Sequence, residues 1–509
     1  METLEERDGI VKELHTALLH TLIYGVGNVL TKFLSFLMVP FYTHYLTPAD
    51  YGTLEILDLS MSLFGMFLTM GIIAAVLRCY AAADSLDEKK KVISTALMSV
   101  LVTGGVTLVL GLMAAKPASR LILGPEVNSK YLVLSFLGFI CNYLATVPRT
   151  YLRALEASGM FTLANNVSFC LMLGMNIYFV AVHKLGVAGI LSSALIGAAL
   201  QFVVLSAWAL REVGTRISSY WLRQMLVFGG PLMFSNLAVF VLNFSDRFFL
   251  QHLRSLDVVG IYAVGYKFAY MMNYLLVQPF YVMWQARMFA VHALPNHEKV
   301  FSRIFVLYSL VLVYAGLALS MLSPEIVRLM VGPKFAASQP VVPVVVLAYV
   351  FWGIGFYVQL GMFLGNRTNL VGLVGAAAAG VNLVLNYLLI SYWGMMGAAW
   401  ATLLSFLVLA VGSYWCSQRV FPLRLGVARV GLGLGFAATL YLVCARWFPV
   451  SAGPGMIVKI VLLAAFPLLL WKLRILAAPE VETLRTAWSR GMARLSRFVS
   501  VFSGKAASA

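Results

Sequence analysis

Charged side chains are scarce in this 509-residue sequence. They make up 11% of it, under half the roughly 25% usual in soluble domains. No polar stretch is long enough to form a soluble domain, while 61% of the residues are hydrophobic and the mean hydropathy is +0.88. Apolar surface on that scale calls for a bilayer as solvent. Cysteine is scarce too. Cys79, Cys141, Cys170, Cys416 and Cys444 lie in or at the ends of apolar runs, without CxxC or Cys/His spacing. That pattern excludes a disulfide framework and a zinc module, leaving small packing residues. The seven histidines are scattered, and no Ser/His/Asp set or repeated carboxylate motif occurs. Neither catalytic acid–base chemistry nor a bound metal or other cofactor is expected. The acidic, polar opening METLEERDGIVKELH does not read as a cleavable signal peptide, so the first apolar run is expected to remain as an anchor.

Basic residues outnumber acidic ones, 37 to 20. A nucleic-acid-binding module gathers such charge on one face; here it is spread through short segments between apolar runs, and no nucleic-acid partner is expected. Membrane-spanning helices need about 20 mostly apolar residues. Fourteen such runs are present: 18–42, 53–77, 92–115, 131–148, 161–182, 187–209, 226–250, 261–285, 304–322, 341–364, 370–390, 396–416, 430–448 and 457–471. They predict an all-α integral membrane protein of about 14 transmembrane spans. One set of connections holds most of the Lys and Arg, whereas the other holds only Lys116, Arg120, Lys130, Lys184, Arg254, Arg328, Lys334, Arg446 and Lys459. The positive-inside rule then places both termini in the cytoplasm.

The chain repeats itself at a fixed distance. HYLTPADYG (44–52) and HLRSLDVVG (252–260) align His44 with His252 and Gly52 with Gly260, both 208 residues apart. LILGP (121–125) matches LMVGP (329–333), and GVAG (186–189) matches GMMG (394–397), at the same offset. Spans 1–6 and 7–12 are therefore two copies of one unit. An even number of spans per copy gives both the same orientation, related by an axis along the membrane normal with a cavity between them. The expected organisation is a cytoplasmic segment 1–17, six-helix bundles at 18–210 and 226–417 joined by a linker 211–225, added spans at 430–471, and a tail 472–509. In that tail Leu484, Trp488, Met492, Leu495, Val499 and Phe502 recur at helical spacing, with Arg485, Arg490, Arg494 and Arg497 largely elsewhere around the helix. A basic amphipathic helix of this kind rests on anionic lipid.

Charges inside hydrocarbon cost about 2.5–3.5 kcal/mol each even on a lenient insertion scale. Those well inside the spans are Lys32, Glu55, Asp58, Asp246, Arg247 and Lys267. They fall on spans 1, 2, 7 and 8, which are corresponding pairs under the repeat, so these four spans are expected to face one polar space. Asn28 accompanies Lys32; Asn236 and Asn243 accompany Arg247; Tyr270, Tyr274, Gln278, Tyr281 and Gln285 continue from Lys267 at helical spacing. Cations beside amides and aromatic rings suit a phosphate joined to sugars. The three acids Glu55, Asp58 and Asp246 act in ion coupling or as partners that merely neutralise the cations; residue types alone leave both open. Arg78, Arg149, Arg153 and Arg287 mark cytoplasmic span ends, as topology anchors or as recruiters of an anionic lipid headgroup.

YLTPADYGTLEI (45–56), DRFFL (246–250) with VGIYAVGYKFA (259–269), and GMMGAAWATLLSF (394–406) resemble the polysaccharide-export flippases of the multidrug/oligosaccharidyl-lipid/polysaccharide exporter superfamily. The resemblance implies two six-helix bundles in a V, a cavity lined by spans 1, 2, 7 and 8, and alternating access driven by an ion gradient. It implies a cargo of oligosaccharide linked to undecaprenyl diphosphate, the bacterial inner membrane as location, and polysaccharide assembly proteins as possible partners. Lys32, Arg247 and Lys267 correspond in type and span to the family's cavity cations. A drug or cation exporter of the same superfamily is the first alternative. A membrane polymerase or ligase is the second, although the outward connections near 116–130 and 323–340 hold no catalytic set.

Overall fold

The computed structural model describes residues 35–69, 71–448 and 453–476. All regular structure among them is helical. Residues 35–45 form α1. There follow α2 Pro48–Thr69, α3 Ile72–Ala82, α4 Leu86–Leu123, α5 Ser129–Leu144, α6 Thr146–Ala154, α7 Ser158–Ile177, α8 Gly186–Val213 and α9 Ser219–Leu253. The second half continues with α10 Leu256–Met272, α11 Gln278–His292, α12 His297–Met330, α13 Val341–Val358, α14 Leu360–Leu364, α15 Thr368–Trp393 and α16 Met395–Val420. α17 Val427–Trp447 and α18 Pro454–Lys472 complete the order.

Eleven of the fourteen expected spans are found as helices long and apolar enough to cross a membrane. Of the other three, span 1 begins outside the described residues. Spans 7 and 8 are the helical stretches that carry Asp246, Arg247 and Lys267; α9 alone has 35 residues, about 52 Å of rise. The chain is a multi-pass, all-α membrane protein.

The 208-residue offset recurs in the local chemistry that starts and bends the helices. Thr47 caps α2: its hydroxyl accepts from Asp50 N at 3.2 Å while the Asp50 carboxylate accepts from Thr47 N at 3.1 Å, with Pro48 at the first helical position where no donor is needed. At the equivalent start of α10, 208 residues on, Ser255 Oγ accepts from Val258 N. Gly186 and Gly394, also 208 apart, both adopt a left-handed conformation (φ 53° and 56°) at the turns that open α8 and α16, which glycine reaches without a Cβ penalty.

The corresponding bends use different means. Span 2 breaks at Gly71, φ 66°, between α2 and α3. At the equivalent position of span 8 stands Pro279, preceded by a π-turn, Asn273–Val277, between α10 and α11. Proline removes a donor and crowds the carbonyl four residues back; a wider turn relieves both.

The chain divides into two compact units, Met1–Val264 with Met330–Ser338 and Asn382–Ala398, and Gly265–Leu329 with Gln339–Val381 and Ala399–Ala509. In the first, Ala75, Val76, Cys79, Val92, Ile93, Ala96 and Leu97 form a core with Trp221 and Met225. In the second, Phe280 stacks on Tyr308 with ring centroids 3.7 Å apart, and the Tyr357 hydroxyl donates to Phe301 O at 2.7 Å. Helices α17 and α18 pack beside α12 through Phe466, which stacks on Tyr314 and Phe436. Lys459, expected in an outward connection, instead lies within α18, buried against Glu325 of α12 with Nζ 2.7 Å from Oε1.

Candidate functional site

Four residues of α9, one of α2 and one of α10 make a buried cluster around a charged pair. Asp246 and Arg247 are adjacent near the end of α9, each 2% exposed. Arg247 Nη1 donates to Asp246 Oδ1 and to Asn243 O, both at 2.6 Å. Asp246 Oδ1 also accepts from Arg247 N at 3.0 Å, and its second oxygen accepts from the Tyr262 hydroxyl at 2.5 Å. Glu55 of α2 brings a carboxylate 3.8 Å from Arg247 Nε, a through-space attraction too long for a hydrogen bond. The Tyr262 and Phe244 rings lie 5.2 and 5.5 Å from the guanidinium, within cation–π range. A guanidinium so buried needs carboxylates and π faces around it, because desolvation of an unpaired ion costs several kcal/mol.

Arg247 and Asp246 on span 7 and Tyr262 on span 8 belong to the second repeat and Glu55 on span 2 to the first, so the cluster joins the two copies, with Glu55 and Tyr262 on equivalent spans. Ser245, next to it on α9, donates to Asn382 Oδ1 at 2.9 Å and accepts from Asn386 Nδ2 at 3.2 Å, all three buried. These amides of α15 extend the polar interior from the charged pair. Nothing in the spacing of one serine and two asparagines in apolar runs sets them apart. Tyr262 stands in the family-like segment VGIYAVGYKFA (259–269), but nothing in that segment marks it as the partner of Asp246.

The other expected site residues are dispersed. Lys32 and Asn28 lie outside the described residues, as does the side chain of Asn236. Asn243 is buried and takes part through its carbonyl, while its side-chain amide donates to Val239 O. Asp58 is exposed and Lys267 half-buried; both are engaged in interactions. Tyr270 stands edge-on to Tyr274 at 4.8 Å and to Tyr349 at 5.4 Å, next to the Tyr266–Tyr349 hydroxyl pair at 2.8 Å. Gln278 is exposed. The π-turn adds one residue between Tyr270 and Gln278, rotating the rest of the span by about 100° from an ideal helix, so the polar stripe does not continue straight into Tyr281 and Gln285. Those two pair with each other, Gln285 Nε2 donating to Tyr281 Oη at 2.6 Å.

The span-end arginines have individual settings. Arg149 donates to the Asn142 carbonyl at 2.9 Å and to its side chain, with Gln201 bridging on to Asn165 at 3.0 Å. Arg78 and Arg153 are exposed and lie over Phe228 and Phe161 at 4.3 and 4.6 Å. Arg287 is exposed. The described residues contain no group of three or more His, Cys, Asp or Glu suited to hold a metal ion.

A family model described as polysaccharide biosynthesis protein matches residues 18–283, more than half of the chain and all of the charged cluster. The chain belongs to the polysaccharide biosynthesis protein family. The resemblance drawn from the sequence motifs thus holds at the level of the family.

Among solved structures, this family member is similar to a lipid II flippase, MurJ, in an inward closed conformation, with TM-score 0.71 and 11% identity over 89% of this chain and 98% of that one. It is similar to an inward-facing multidrug resistance MATE family transporter of the MOP superfamily, with TM-score 0.61 and 15% identity over 79% and 94%. It also resembles the Vibrio cholerae MATE transporter VcmN in its bent form, with TM-score 0.52 and 14% identity over 80% and 96%. At such identities the likeness shows the fold. No curated protein matches the chain in sequence.

Proposed function

We propose that the chain is a flippase that carries a lipid pyrophosphate-linked oligosaccharide across the bacterial inner membrane for cell-surface polysaccharide synthesis. The observation that carries this reading is the polysaccharide biosynthesis match over 18–283. A fold shared with a protein named as a lipid II flippase supports it, because that name specifies a lipid-linked cargo. The chain acts as a transporter and not as an enzyme. Both termini lie in the cytoplasm, in keeping with the Lys and Arg asymmetry, and the tail 472–509 rests on anionic lipid.

In this proposal Lys32, Arg247 and Lys267 match the charge of the diphosphate as water is stripped from it, and the amides and tyrosines beside them meet the sugars. Arg247 is 2% exposed, so it meets cargo only in a conformation that parts it from Glu55. Glu55, Asp58 and Asp246 are the carboxylates through which an ion gradient would act on that parting. Arg78, Arg149, Arg153 and Arg287 collect the headgroup at the cytoplasmic face, and glycan assembly proteins are the expected partners.

The test is deletion of the gene in its own host with lipid extraction. Accumulation of a lipid-linked oligosaccharide, reversed by the wild-type gene, is the expected result. Unchanged lipid-linked intermediates with new sensitivity to cationic drugs would replace this reading by the drug exporter.

A further inference from the structure

The starts of α2 and α10 meet in a contact that repeats itself in reverse. A Cβ on Gly52 would fall on the carbonyl oxygen of Leu256, and a Cβ on Gly260 would fall on the carbonyl oxygen of Pro48. Gly52 and Gly260 are 208 residues apart, and so are Pro48 and Leu256. Backbone therefore touches backbone twice, each glycine of one copy against the first helical residue of the other. A second reciprocal pair flanks it. Gly332 N donates to Thr43 Oγ1 at 3.1 Å, while Gln251 Nε2 donates to the carbonyl of Ile122. Thr43 and Gln251 are again 208 apart; Ile122 in the last turn of α4 and Gly332 just past α12 lie in the matching segments LILGP and LMVGP, two residues apart in the repeat register. Tyr51 meets Phe335 edge-on at 5.7 Å. Tyr51 is 3% exposed, Val259 and Phe335 0%, so the seam is dry.

All these contacts lie at the connections with few Lys and Arg, one turn from the Glu55–Arg247 attraction. We propose that this two-fold seam is the releasable seal of the outward end: it closes the path there in the conformation described, and it parts as a whole to let cargo leave. Its construction suits release. Two glycines allow the helix starts to touch without interlocking side chains. The hydrogen bonds of Thr43 with Gly332 and of Gln251 with Ile122 join side chain to backbone and can be exchanged for water. This inference rests on reading the chain as an exporter.

The test uses Val259→Cys as reporter in a chain whose five cysteines are replaced, probed in intact cells with a membrane-impermeant maleimide. With the seam otherwise unaltered, the reporter thiol is expected to label slowly. Gly52→Ala and Gly260→Ala put a methyl onto the opposing carbonyl; overpacking of this kind shifts a two-state balance by about tenfold or more, and labelling should rise accordingly. Thr43→Val with Gln251→Ala, which adds no bulk, should raise it as well and serves if the alanine variants fall in abundance. Unchanged labelling in variants present at normal abundance overturns the seal, whatever export does. Raised labelling in a host whose glycan export never depended on the chain leaves the seal standing and overturns the exporter reading.

Discussion

Arg247 shows how a sequence signal and a structural setting complement each other. Its charge within an apolar run marks it out at once, as do those of Asp246 and Glu55, because each would be costly in hydrocarbon. The sequence leaves open whether such charges bind cargo or neutralise one another; the structure places all three in one buried cluster and adds Tyr262 and the Asn243 carbonyl. Removing one partner of a buried pair costs about 3–5 kcal/mol, because it strands the other. Arg247→Gln should therefore lower both membrane abundance and glycan export. Arg247→Lys should lower export with less loss of abundance, since an ammonium keeps the charge but not the guanidinium plane that turns Nη1 to Asp246 and Asn243 and Nε to Glu55. Asp246→Asn combined with Arg247→Gln should restore abundance in part and leave export low. Quantitative immunoblots and surface-glycan assays on the same cells measure both. Restored export in the double variant would show that the cluster serves only itself. Tyr262 belongs to a motif legible in the sequence, but its partner is not: a hydroxyl's partner depends on how α10 packs against α9, which no spacing within either helix encodes.

At the scale of elements, hydropathy locates the helices and misses the irregularities inside them. Counting at 3.6 residues per turn runs Lys267 to Gln285 as a single stripe, but the π-turn before Pro279 breaks the count. Proline announces a disturbance; whether it becomes a kink or a π-turn depends on the neighbours that receive the displaced carbonyls. Lys459 falls inside the apolar run 457–471 but is counted with the outward connection, and the structure puts it within the helix. It stands near the start of α18, and a lysine near a span end ordinarily reaches for water, yet here Glu325 holds it inside. Lys459→Met should destabilise the protein by about 3–5 kcal/mol, read as a lower unfolding midpoint in detergent. Adding Glu325→Gln should recover much of the loss, and a midpoint unmoved by Lys459→Met would show that the pair does not fasten α18 to α12. The tail beyond residue 476 lies outside the described residues. A peptide of residues 480–503 should gain helicity on anionic vesicles and little on neutral ones, by circular dichroism; equal spectra on both would exclude the basic lipid-binding helix.

For the whole molecule, class and family are the most legible. Composition alone demands a membrane, and three anchors at one offset reveal the duplication. The caps at Thr47 and Ser255 and the left-handed glycines 186 and 394 recur at that same offset in the backbone. The expected orientation comes from the Lys and Arg asymmetry. A fluorescent protein fused to the C-terminus should therefore glow and alkaline phosphatase fused there should be inactive; the opposite pair of results would reverse the topology. The contact of Gly52 and Gly260 carries one more consequence. It has the form of an isologous interface, in which a patch meets its own copy across a two-fold axis. Two separate, identical six-helix subunits would be free to pair through it, but every contact off the axis would then occur twice, charged ones included. Fusion into one chain lifts that requirement. One copy holds Arg247 where the other has Val39, and one holds Glu55 where the other has Ala263. The attraction beside the seam is thus heterologous chemistry on an isologous frame: a homodimer would have to hold it twice, once on each side of the axis, whereas the fused chain holds it once.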